Sequence, residues 1–238
     1  MEDLRTNAQL VRHLESTGAI RTPHVKAAFE RVDRAQFTKP PESAYRDRAA
    51  SPKEGDAPVS QPSVIAEMIE ALEIKHGARM RVMEVGTGSG YSTALTAHAM
   101  GSGRLDSFEP DEVMHALARK TLQRPGMKLP RVAVTLYPQN AFEHEPPTKY
   151  DRIIVNATAQ MSDVERLAER LKEGGVIVAP AITTRGERII AARKQEGQLT
   201  VTNLSPVWFV PLQQTPESAG ERLARGLRKR MRTAARKR

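Results

Sequence analysis

The residues with most chemical content lie between Arg81 and Ala94, RVMEVGTGSGYSTA. Val82, Met83 and Val85 make a short apolar run, and glycines follow at alternate positions 86, 88 and 90. Tyr91, Ala94, Leu95 and His98 then recur at helical spacing. Strand, glycine turn and helix let a charged ligand lie against bare backbone, because glycine accepts positive φ and has no Cβ to block approach. The spacing is GxGxG, not the GxGxxG of dinucleotide folds, and Glu84 stands just before it at the strand tip. Arg104 to Glu109 (RLDSFE) reads as a second strand ending in an acid about twenty residues past the glycines, where a carboxylate can accept both hydroxyls of a ribose. The combination suits S-adenosylmethionine better than NAD, with Glu109 as the ribose ligand. The plainer alternative is a tight turn and a solvated strand end.

The elements that must carry these groups follow from periodicity. Leu10, Val11 and Leu14 precede a stop at Gly18, and Val25, Ala28, Phe29 and Val32 form a second helical stripe behind Thr22-Pro23. Residues 40 to 59 hold four prolines and many charges without period, so they read as a long loop, a common place for function. Ser60-Gln61-Pro62 closes that loop before a helical face of Val64, Ile65, Met68, Ile69 and Leu72. On local grounds Ser60 is either the N-cap of this helix or a functional hydroxyl.

Beyond Glu109 helix and strand alternate. Helices are expected through Val113 to Leu122 and through Val164 to Leu171, the latter ended by Gly174-Gly175; strands are expected at Val132–Leu136, Tyr150–Val155 and Val176–Val178. This alternation predicts an α/β fold, a doubly wound, mostly parallel Rossmann-like sheet with ligand across the carboxyl ends of its strands. Residues 187 to 212 hold two or three further strands with no helix between, so the sheet is expected to finish antiparallel. Trp208 and Phe209 are adjacent, so one faces the core and the other away. The organisation expected is an N-terminal helical segment with the loop (1–60), a cofactor-binding domain (61–213) and a basic tail (214–238).

Composition bounds the function. The chain has 238 residues and no cysteine, which excludes disulfides, thiolate metal sites and a thiol nucleophile. Its six histidines show no HExxH or similar spacing, so no metal is expected. No apolar run is long enough to span a membrane and MEDLRTNAQL lacks a signal-peptide layout, which reads as cytoplasmic. The formal charge is +9, but Glu221 to Arg238 carries nine basic residues and one acid, leaving +1 for the first 220 residues. The basicity belongs to a tail.

Several segments together resemble one family, the protein-L-isoaspartate O-methyltransferases. Arg31 to Phe37 matches its RVxRxxF, Val59-Ser60-Gln61-Pro62 its TISQP-like turn, and Val82 to Tyr91 its VLEIGTGSGY. Tyr150 to Val155, Leu171 to Pro180 and Val207 to Leu212 match YDxIIV, LKxGGxxVxP and VxFVPL, so the resemblance spans about residues 8 to 213. It implies methyl transfer from S-adenosylmethionine to the α-carboxylate of an isoaspartyl residue in a damaged protein, giving an ester that cyclises to a succinimide. It implies Ser60 as the active-site hydroxyl. Val59, Ser60, Glu84, Gly86, Thr87, Gly88 and Ser89 would surround the cofactor, with Glu109 and Pro110 at the ribose. Val207, Phe209 and Val210 would meet the peptide. A carboxylate is ionised at pH 7 and is its own nucleophile, so no general base is needed.

Two departures bear on substrate and cofactor. Where the family has a glycine-rich PIGxGQT segment, this chain has Pro52-Lys53-Glu54-Gly55-Asp56-Ala57-Pro58. Where the family has GDG after its third strand, Pro138-Gln139-Asn140-Ala141 stands, so the acceptor for the adenine amino group is an amide, Gln139 or Asn140. Alternatives to isoaspartate repair are methylation of an aspartate in a modified peptide, an RNA methyltransferase that uses the basic tail, and a binder that has lost turnover. Against RNA, residues 221 to 238 contain no aromatic for base stacking.

Overall fold

The computed structural model describes residues 4–40, 43–52 and 58–212. The departures at 53–57 and the basic tail lie outside the described residues. Two helices, α1 (Asn7–Ser16) and α2 (Pro23–Arg31), open the chain, and α3 (Pro62–Ala71) follows the long loop. The chain then alternates through β1 (Met80–Val85), α4 (Tyr91–Met100), β2 (Ser102–Phe108), α5 (Glu112–Leu122), β3 (Arg131–Tyr137), β4 (Tyr150–Val155), α6 (Met161–Ala168) and β5 (Leu171–Thr183). The hairpin strands β6 (Gly186–Gln195) and β7 (Gln198–Pro206) complete it.

The strands form one seven-stranded sheet in the order β3-β2-β1-β4-β5-β6-β7, parallel from β3 to β5 and antiparallel from β5 to β7. The chain winds outward from β1 to β3 and then returns to place β4 on the other side of β1. The crossovers diverge there, and a crevice opens at the carboxyl ends of β1 and β4. Both strands are buried on both faces, which explains their continuous rather than alternating apolar runs. Among the described residues, no helix is long and apolar enough to cross a membrane.

The N-terminal helices share a core with one face of the sheet. Leu10, Val25 and Phe29 belong to one apolar cluster with Ile65, Met68, Leu95 and Val82. Helix α4 is wedged between α2 and the sheet, so nine of its ten residues are buried and it shows little amphipathic contrast. The opposite face packs Met83, Ile153 and Ile177 against Val164 and Leu167 of α6.

One local expectation changes and two that were open are resolved. Helix α6 ends at Ala168, and Leu171 begins β5. Arg170 turns the chain by donating to the carbonyls of Phe142 (3.0 Å) and His144 (3.0 Å). Gly174-Gly175 lies inside β5 and forms the irregularity that lets Leu171 pair with Tyr150 while Val176 pairs with Arg152. A Cβ on Gly175 would meet Lys172 O at 2.8 Å, so glycine serves the bulge and not a helix stop. Pro206 ends β7, and Val207 to Leu212 forms no third hairpin strand but crosses the sheet end as a strap. Gln61, with Pro62 at the first helical position, is the N-cap of α3, so Ser60 is not spent on capping.

Candidate active site

At the end of β1 the chain turns under its own short-range bonds. Gly86 N and Thr87 N donate to Phe108 O at 2.9 and 3.2 Å, and Gly90 N donates to Thr87 O at 2.9 Å. Gly88 holds φ at +55°, and a Cβ built there would meet nothing within 4 Å, because the residue looks into a cleft. Its amide donates to Glu109 Oε2 (2.9 Å), and the Asp111 amide donates to Glu109 Oε1 (3.1 Å). Glu109 is 8% exposed. Burial pushes its carboxyl above the usual carboxylate range, against the two amide bonds that favour the ionised form. This is a cradle of open glycine backbone beside a largely buried acceptor, and S-adenosylmethionine fits it: backbone for the methionine part, carboxylate for the ribose.

Glu84 lies beneath this loop and not on the cleft. It is fully buried, accepting from Thr93 Oγ1 (2.5 Å) and Ser107 Oγ (2.6 Å) on one oxygen and from Asn156 Nδ2 (2.9 Å) on the other. Burial raises its pKa, while those donors oppose the rise. Asn156 also donates to Gly86 O (3.0 Å), and Thr87 Oγ1 meets Ser107 Oγ at 2.6 Å. Glu84, expected among the groups around the cofactor, is thus buried under the loop and does not line the cleft. Its carboxylate is spent on internal donors.

The other wall carries Ser60. Val59 and Ala50 exchange backbone bonds of 3.0 and 2.8 Å, pinching the long loop at its stems. Asp47 accepts the Ser63 amide (2.9 Å) and the Gln61 side chain (3.2 Å), fixing the start of α3 beside Ser60. The strap is held by Glu187: its Oε1 accepts from Phe209 N (2.7 Å) and Thr158 Oγ1 (2.5 Å), and its carbonyl accepts from Val207 N (3.1 Å). Thr158 N donates to Val210 O and Leu212 N to Thr158 O, both at 2.8 Å. Phe209 packs against the core, whereas Trp208 is 89% exposed at the rim.

These walls enclose one cleft of about 1340 Å³. From the cofactor set expected in the sequence, Gly86, Thr87, Gly88, Ser89, Glu109 and Pro110 line it, as does Asn140. So do Val59 and Ser60 on the facing wall, and Val207, Phe209 and Val210 on the strap. Glu84 and Gln139 do not. Of the two amides, Asn140 is the one brought to the cleft, and its Oδ1 already accepts the Phe142 amide (3.0 Å).

Sequence reasoning missed Arg34, Asp47, Asn156 and Glu187. Asn156 had a signal, since it directly follows a fully buried parallel strand at the switch point. Arg34 falls in a matched segment but nothing local gives it a role. Asp47 and Glu187 act across the chain and left no pattern to read.

Residues 5–217 match the sequence profile of the family described as protein-L-isoaspartate(D-aspartate) O-methyltransferase. A protein-L-isoaspartate O-methyltransferase of Pyrobaculum neutrophilum is 32% identical over 213 residues, covering 87% of this chain and 99% of the relative. One from Parvibaculum lavamentivorans is 35% identical over 209 residues, covering 86% and 90%. A solved Plasmodium falciparum protein-L-isoaspartate O-methyltransferase, bound to S-adenosyl-L-homocysteine, superposes with a TM-score of 0.73 at 22% identity, covering 89% of this chain and all of that one. At that identity the superposition establishes the fold.

Proposed function

Because the chain belongs to the protein-L-isoaspartate(D-aspartate) O-methyltransferase family, we propose that its cleft takes S-adenosylmethionine at the glycine end and an L-isoaspartyl residue of a protein at the Ser60 end. The product is the methyl ester of the isoaspartyl α-carboxyl. The observation that carries this reading is the convergence of Gly88, Glu109 and Ser60 on one cleft large enough for a nucleoside cofactor and a peptide side by side.

When bound, S-adenosylmethionine supplies a methyl group made electrophilic by its sulfonium. What the chain must add is modest. The accepting carboxylate is ionised at neutral pH, so no residue has to remove a proton first. Attack of an anion on a cationic centre consumes both charges, so strong polar stabilisation of the product side brings little; alignment and dryness matter more. Ser60 would orient the carboxylate through its hydroxyl. Glu109 would fix the ribose, and Asn140 stands where the adenine edge would lie. The strap offers the backbone of Val207 to Val210 to the substrate chain, while its bonds to Glu187 and Thr158 keep it in place.

The test is transfer of labelled methyl from S-adenosylmethionine to an isoaspartyl peptide, run beside its aspartyl twin and bulk RNA. Labelling selective for the isoaspartyl peptide is expected. Equal labelling of both peptides, or labelling of RNA alone, would overturn the reading.

A further inference from the structure

We propose that Arg34 is a positioning residue for methyl transfer: its buried guanidinium fastens both stems of the substrate loop and so sets where Ser60 stands. The inference rests on the reading of Ser60 given above, but the clamp itself is a matter of geometry. Arg34 opens a short 3₁₀ turn after α2, capped by Asp33, whose Oδ1 accepts the Ala35 amide at 3.0 Å. Its side chain is fully buried. Nη1 donates to Ala44 O (2.7 Å) and Arg46 O (3.3 Å), and the two N–H groups of Nη2 are shared among Arg48 O (2.9 Å), Val59 O (3.2 Å) and Ser60 O (3.0 Å), while the buried Nε finds no partner among the described residues.

Three of these carbonyls lie on the incoming stem and two on the outgoing one. The last belongs to Ser60 itself. No carboxylate of the described residues forms an ion pair with this cation; carbonyl dipoles surround it, and the Asp47 carboxylate acts on it from beyond ion-pair distance. The guanidinium carbon also lies 5.7 Å from the centre of the Tyr91 ring. Tyr91 is the first residue of α4, directly after the glycine loop, and lines the cleft with its hydroxyl buried and unpartnered. One side chain thus joins the two stems of the substrate loop to the helix that begins at the cofactor loop.

Only arginine suits this task. Its planar fork presents terminal N–H groups in several fixed directions, whereas lysine offers three donors from a single nitrogen and cannot reach five carbonyls spread over both stems. If Arg34 served folding alone, its loss would act on stability and on both substrates without regard to Ser60. If it acts through Ser60, its effect should vanish where the Ser60 hydroxyl is gone.

The experiment is a double-mutant cycle in the full chain, with residual activity followed by prolonged labelled-methyl transfer. Arg34→Lys should lower kcat/KM for an isoaspartyl peptide about tenfold and leave the affinity for S-adenosyl-L-homocysteine within about twofold. In the Ser60→Ala background the same change should cost less than about twofold more. A full tenfold loss in that background, or an equal loss of cofactor affinity, overturns the proposal. Should the lysine variant not fold, hydrogen exchange on the unaltered protein decides. The reciprocally bonded amides of Ala50 and Val59 should exchange as slowly as those of α4, and exchange at the rate of exposed loop amides overturns the clamp. Absence of any isoaspartyl labelling by the unaltered protein would instead strike the functional reading, since the exchange measurement does not depend on it.

Discussion

The cleft has one end built at the tips of two adjacent parallel strands and one end gathered from several separate segments. At the glycine end, Gly86 to Gly90 turn on bonds to each other and to the tip of the adjacent strand, and Glu109 closes the set from that same strand. At the Ser60 end, Ser60 is held by Arg34 at 26 positions' distance and flanked by Asp47 bonds spanning 14 and 16 positions, while the strap hangs from Glu187. The first end is formed by the glycine loop after β1 and the acid at the tip of the neighbouring β2. The second is a tertiary assembly of several separate segments.

Substitutions at the two ends test that contrast. The largest effect is expected below the glycine loop. Glu84→Ala strands the donors of Thr93, Ser107 and Asn156 and should cost about 3 kcal/mol of stability in chemical denaturation. A cost under about 1 kcal/mol would show that the loop does not depend on the buried carboxylate. Next, Gly88→Ala forces a side chain into φ +55° and places a methyl group in the cleft. It should weaken S-adenosyl-L-homocysteine about thirtyfold by calorimetry, with isoaspartyl-peptide KM at saturating cofactor unchanged.

Glu109 gives a pH test of the same end. The ionised carboxylate only accepts hydrogen bonds, and burial raises its pKa, so cofactor affinity should fall as pH drops through a range above that of an ordinary carboxylate. Glu109→Gln should lower affinity about tenfold at neutral pH and flatten that dependence. An unaltered pH profile in the variant would assign the titration elsewhere. The smallest effect is expected at the rim: Trp208→Ala should raise peptide KM about threefold with cofactor affinity unchanged.

The same contrast governs how much could be read from the sequence. The strand, the alternating glycines and the acid one strand later are patterns readable in consecutive elements, and Gly88 and Glu109 meet at the tips of β1 and β2. The alternation of apolar runs sufficed for a mostly parallel sheet ending in a hairpin. The burial of Glu84 was not legible because an acid at a strand tip looks the same in sequence whether it faces ligand or core; its three donors come from positions 93, 107 and 156. The end of α6 was misplaced because Leu171 satisfies helical spacing and is buried equally well in a strand. Arg34 stands in the matched RVxRxxF segment, but its role was not legible there, because the five carbonyls around it come from positions 44 to 60 and meet only in the fold.

The most direct test of a cleft with two separable ends is a pair of readings on one Ser60→Ala protein: S-adenosyl-L-homocysteine affinity by calorimetry and kcat/KM for an isoaspartyl peptide. The account predicts affinity within about twofold of the unaltered protein and kcat/KM lower by about a hundredfold or more. Losses of similar size in both readings, or transfer that persists undiminished, would contradict it.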